Sequence, residues 1–140
     1  MKSAKQICIA LTFFVAGLAS SVCAGEKPQE LSGTFVSDRE ATMSYLKSTG
    51  AYSPEQLEKI GSVLGKMKVT FAGDTVVTEL DDRTTAERFE VAEQGEGYIV
   101  ILTNLDKEPV RNRIEFVSGG YWLINPSGEK PFREKFRRIP

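Results

Sequence analysis

The run Leu31-Ser32-Gly33-Thr34-Phe35-Val36, with Ser37-Asp38-Arg39-Glu40 and Ser53-Pro54-Glu55-Gln56 behind it, decides the fold. The first six residues are strand-like, with Leu31 and Phe35 on one side. Ser37-x-x-Glu40 has the pattern of a capping box, which starts a helix to about residue 49. Gly50 ends that helix, because glycine accepts the left-handed cap. Ser53-x-x-Gln56 is a second box with proline at the first helical position, where it is favoured. Leu57, Ile60, Leu64 and Met67 then recur at three, four and three residues, widened by Val63, which predicts a second amphipathic helix over 54–67 packed as a lid on the sheet.

From Lys68 the apolar period changes from helical to two. Val69 and Phe71 face one way and Lys68 and Thr70 the other. Gly73-Asp74, Asp81-Asp82-Arg83, Gln94-Gly95-Glu96-Gly97, Ser118-Gly119-Gly120 and Asn125-Pro126-Ser127-Gly128 are turn signals between extended runs. Residues 84–92 read as one strand, with Phe89 and Val91 on one face. Tyr98-Ile99-Val100-Ile101-Leu102 is apolar on both faces, which marks a strand covered on both sides. Ile114 and Phe116 point inward from the next strand, and Phe132 and Phe136 from the last. The fold class is therefore mainly β with a two-helix insertion. It is an antiparallel barrel or strongly curled sheet of about eight strands, with the helical hairpin between strands 1 and 2.

The chain has 140 residues and reads as one domain, 31–140, behind an N-terminal extension. Lys2 and Lys5 precede an apolar run over 7–18. Small residues then lead to Val22-Cys23-Ala24, the layout of a secretory signal peptide over 1–24, cleaved after Ala24. The expected location is periplasmic or secreted, with no transmembrane span left after cleavage and with 25–30 as a flexible lead-in. Val22 is too bulky for the position before a lipidated cysteine, which argues against lipid attachment at Cys23. Cleavage removes Cys8 and Cys23, the chain's two cysteines, so the domain folds by burial without disulfides.

Histidine is absent from the chain. Ser-His-Asp and Cys-His nucleophiles and histidine metal sites are thereby excluded. Asp81 and Asp82 sit in a turn where aspartate is favoured for backbone reasons, and no spacing supplies further ligands. The expectation is no catalytic residue, no metal and no cofactor. Loss of Lys2 and Lys5 on cleavage takes the formal charge from −1 to −3, which argues against nucleic acid as a partner.

In element order the chain resembles the calycin superfamily, the lipocalins and fatty-acid-binding proteins. The likeness to intracellular fatty-acid-binding proteins rests on Gly33-Thr34-Phe35, the helical pair over 38–49 and 54–67, and the strand pair over 68–80 with its Gly73-Asp74 turn. Phe35 stands where that family has tryptophan. The ending Phe136-Arg137-Arg138-Ile139 does not reproduce the family's carboxylate-binding Arg-x-Tyr. The resemblance implies a small antiparallel barrel that binds a hydrophobic or amphipathic molecule, such as a lipid.

On that reading Phe71, Phe89, Ile114, Phe116 and Phe136 line the interior, and Arg138 neutralises an acidic head group. The alternative is a protein-binding module, an envelope accessory factor or secreted enzyme inhibitor. It would act through Arg133, Arg137 and Trp122 on the outside. Tyr121 and Trp122 are adjacent and face opposite sides, one toward the core. Arg133, Lys135 and Arg137 form an outer cationic row, which would also serve as ordinary protection of an edge strand.

Overall fold

The computed structural model describes residues 31–125 and 128–140. The expected signal peptide and lead-in lie outside the described residues. The element order is β1 (Gly33–Ser37), α1 (Arg39–Thr49), α2 (Pro54–Val63), β2 (Lys68–Ala72), β3 (Thr75–Leu80), β4 (Arg83–Arg88), β5 (Glu90–Gly95), β6 (Tyr98–Thr103), β7 (Val110–Val117), β8 (Gly120–Ile124) and β9 (Arg133–Arg138).

One antiparallel sheet holds all nine strands in the order β4-β3-β2-β1-β9-β8-β7-β6-β5. It is strongly curled into a half-barrel, and the helical pair follows its first strand, as the sequence predicts. The strand from 84 to 92 is two strands. β4 pairs with β3 at one end of the sheet and β5 with β6 at the other. The residue between them, Phe89, is buried, and its N–H donates to the Asp74 carbonyl at 2.9 Å. An apolar side chain drawn into the core at that point switches the chain from one sheet end to the other.

β1 joins the halves by pairing with β2 and with β9, Phe35 opposite Val69 and Arg138. β9 is therefore the central strand. That overturns its reading as a protected edge.

The concave face is filled by rings. Tyr121 stacks on Phe136 with centroids 5.2 Å apart and meets Phe35 edge-on at 4.9 Å. Phe71 stands edge-on to Phe35, Phe89 and Tyr121 at 6.2, 5.5 and 6.2 Å. Leu31, Val69, Val76, Ile99, Ile101 and Ile114 complete the core. Each such side chain contributes about 1.5–3 kcal/mol by burial. The edge-to-face geometry adds quadrupole attraction.

The helices depart from expectation in three respects. Asp38, not Ser37, caps α1: its carboxylate accepts from the Ala41 N–H at 3.0 Å. Ser37 remains the last residue of β1. The second capping box forms as predicted, with Ser53 and Gln56 bonded reciprocally at 3.1 and 2.9 Å. However, α2 ends at Val63, which is exposed; in the connection beyond the helix Leu64 is buried and Met67 packs against the core. Gly65, at φ +87°, turns the chain there, and its N–H donates to the Ser37 hydroxyl.

The helix on the sheet is α1. The Thr42 hydroxyl accepts from the Lys135 N–H at 2.9 Å, and the Asp38 N–H donates to the Lys135 carbonyl at 2.8 Å. α2 packs on α1, where the Arg39 side chain donates to the Gly61 carbonyl. Among the described residues no helix is long and apolar enough to cross a membrane.

Candidate functional site on the outer face

Pleating sends Phe136 inward from β9 and Arg133, Lys135 and Arg137 outward. In β8 it sends Tyr121 inward and Trp122 outward, opposite Glu115 on one side and Lys135 on the other. α1 closes over this region because its Thr42 is tied to β9, which brings Tyr45 beside Trp122 with ring centroids 5.8 Å apart.

The Arg133 guanidinium touches both rings where they meet, 4.6 Å from the Tyr45 centroid and 4.6 Å from that of Trp122. The Lys135 ammonium stands 5.7 Å from the Trp122 centroid. Glu115 steadies the arrangement at 3.7 Å from Arg133 and 2.9 Å from Arg113. Arg113 in turn covers the Tyr98 ring at 3.8 Å. The Tyr98 hydroxyl donates to Glu93 at 2.6 Å, a bond that holds its pKa above the usual range for a phenol. Hydrogen bonding to Glu115 likewise raises that of Arg113.

The result is a band of alternating cations and rings across β6 to β9. Glu115 pairs with Arg113 and Arg133, Glu93 holds the Tyr98 end of the band, and Lys135 stands on the far side of Trp122 from Glu115. Arg133 Nε is buried and makes no hydrogen bond among the described residues. The band offers planar, partly desolvated cations with aromatic walls, a surface suited to carboxylates.

Trp122 and Arg133, two of the three residues expected on an outer surface, are in contact. Arg137 shares their face of β9, is exposed, and stands opposite Val36 and Gly120. Of the residues expected to line an interior, Phe71, Phe89, Ile114 and Phe136 are brought together in the core. Phe116 packs half-buried against it. Arg138 stands over Phe35 with its guanidinium 4.6 Å from the ring, and donates to the Ser32 carbonyl at 2.6 Å.

Tyr45, Glu115 and Glu134 are contributions the sequence reading missed. Glu134 points inward beside Tyr121, accepts from the Ser37 hydroxyl at 2.7 Å, and has its carboxyl pKa pushed up by burial. Its place in the charged run Arg133-Glu134-Lys135 carries no local signal of an inward-facing carboxylate.

Comparison with protein-family models, curated proteins and solved structures returns no match for this chain. The fold and the outer band define its class: a small, curled, all-antiparallel β protein with a two-helix insertion and a cationic aromatic face.

Proposed function

We propose that the chain is a calycin-type, non-enzymatic binding module of the periplasm or the extracellular space, and that its outer β8–β9 face holds an extended acidic segment of a partner protein. The observation that carries this reading is the position of β9 at the centre of the sheet. A row of cations at a sheet margin guards against edge pairing. On a central strand that explanation is gone, and the row instead stands against Trp122 and Tyr45. Tryptophan, tyrosine and arginine are the residue types that dominate binding energy at protein interfaces. The acidic character of the partner follows from charge complementarity with Arg113, Arg133, Lys135 and Arg137.

The carriage of a hydrophobic molecule, implied by the resemblance to lipocalins, would use the concave face. There Tyr121, Phe35, Phe71 and Phe136 lie against one another, so cargo would have to displace rings already in contact. Even a closed barrel of about eight strands holds only its own side chains or one small ligand.

Trp122 is the chain's one tryptophan, so its emission reports on the outer face alone. A glutamate- and aspartate-rich peptide should shift that emission saturably, and Arg133→Glu should abolish the shift while the protein stays folded. An unchanged spectrum with the peptide, together with saturable displacement of a fluorescent fatty acid, would replace this reading by the carrier one.

A further inference from the structure

β4 is the outermost strand on one side of the sheet. All six of its residues are exposed, and it pairs with β3 alone. The Phe89 N–H donates to the Asp74 carbonyl, in line with the β3–β4 register. By antiparallel alternation the backbone groups of 83, 85 and 87 therefore face β3. Those of Thr84, Ala86 and Arg88 face away from it, where no further strand stands among the described residues.

The sequence here is Asp82-Arg83-Thr84-Thr85-Ala86-Glu87-Arg88, and its charges are self-complementary in one antiparallel register. We propose that β4 pairs edge to edge with β4 of a second copy, Thr85 opposite Thr85. Thr84 then lies opposite Ala86, so the outward backbone groups of each copy meet those of the other. Arg83 lies opposite Glu87 and Asp82 opposite Arg88, each pairing occurring twice by the twofold symmetry.

A slip of one residue either way defeats this arrangement. One slip sets Arg83 against Arg88, the other sets Asp82 against Glu87, and both bring outward backbone groups opposite ones already bonded to β3. Beside the edge the Asn104 N–H donates to the Glu87 carboxylate at 2.8 Å, and next to that bridge there is open space. A cleft of about 360 Å³ lies between Thr75, Ala86, Glu87 and Arg88 on one wall and residues 104–107 on the other. The tip of the second copy's β3–β4 turn, carrying Asp82, would enter it and meet Arg88 and Lys107. This surface is distinct from the β8–β9 face and does not depend on the partner proposed for it.

The test is sedimentation velocity of the full chain over a concentration series, with three variants. Ala86→Pro removes an outward N–H and leaves the β3 ladder intact, since proline is tolerated on an edge. Arg83→Glu sets like charges opposite, and Arg83→Glu with Glu87→Arg restores opposite ones. We expect a dimer with a micromolar dissociation constant, weakened at least about tenfold by Ala86→Pro and by Arg83→Glu, and recovered in the double variant. Far-ultraviolet circular dichroism should be the same for all four proteins. A chain monomeric throughout, with the charges serving only as edge protection, would overturn the proposal. So would a dimer indifferent to Ala86→Pro, or a double variant as weak as Arg83→Glu.

Discussion

Arg133 is held face-on to Trp122, its guanidinium carbon 4.6 Å from the indole centroid, on the outward side of the sheet's central strand. Tyr45, in contact with the same indole, lies 4.6 Å from the same guanidinium. Each such contact is worth about 0.5–1 kcal/mol at an exposed site, and more where water is excluded. Arg133→Ala should therefore lower stability by about 1 kcal/mol and shift the tryptophan emission to longer wavelength as water reaches the ring. Arg133→Lys keeps the charge but loses the flat stacked group, and should recover only part of either effect. Equal urea midpoints and identical spectra for all three proteins would show that these ring contacts do not persist in solution.

Two adjacent glycines should respond differently to the same change. Gly120 opens β8 opposite Arg137, and a methyl group there would collide with the Phe136 carbonyl and with the Arg137 backbone. Backbone cannot swing aside as a side chain would, so Gly120→Ala should cost about 3 kcal/mol or more, in the range of severe core substitutions. Gly119 has open space at its Cβ position but sits at φ +79°. Gly119→Ala should cost about 1 kcal/mol, the penalty of a left-handed residue with a Cβ. Thermal melts of the two variants decide this, and a larger loss at Gly119 would refute the steric account.

The interior should behave as a packed core. Phe136 is fully buried and stacked on Tyr121 at 5.2 Å. Phe136→Ala should cost about 3–5 kcal/mol, the usual loss for a phenylalanine removed from a core. The vacated volume should let the variant take up a small aromatic probe that the parent does not. A loss under about 1 kcal/mol would mean that the ring already borders open space, as a cargo site requires.

The sequence made the sheet and its helical insertion legible because they rest on local signals. The period-two run over 68–80 with its Gly73-Asp74 turn and the Ser53–Gln56 box appear where they were read, while the turn read at 125–128 falls partly outside the described residues. Non-local choices were not legible. Ser37 and Asp38 both suit a helix cap, and the decision fell to Asp38 because Ser37 is engaged by Glu134 and by the Gly65 N–H, far along the chain. Phe89 looked like one inward residue of a continuous strand. Nothing local says that a strand will change partners at that residue. The central position of β9 follows from its pairing with β1, a contact between the two ends of the described chain. That pairing gave the cationic row its significance, and it is why the row's residues could be named from sequence while its role could not.

Glu134 supplies the last prediction. Its carboxyl faces Tyr121 and Ser37 on the inner side of β9, and its pKa lies above the ordinary 4.5 chiefly because burial disfavours the charge, with the Ser37 hydroxyl opposing that rise. The folded chain therefore holds this proton more tightly than the unfolded chain does. Below pH 4.5 both forms carry it, and the group's contribution to stability is fully present. As pH climbs from there through the raised folded value, the unfolded form ionises first, and that contribution is lost. Glu134→Gln keeps an acceptor for the Ser37 hydroxyl and removes the titration. Urea midpoints of parent and variant should nearly coincide in acid and then diverge, with the variant the more stable, as pH rises toward neutrality. Subtracting one curve from the other cancels the groups both chains share, Asp74 included, whose depressed pKa acts in the opposite direction. A difference that stays level with pH, or that favours the parent near neutrality, would mean that Glu134 is solvated and that the Ser37 latch does not exclude water from it.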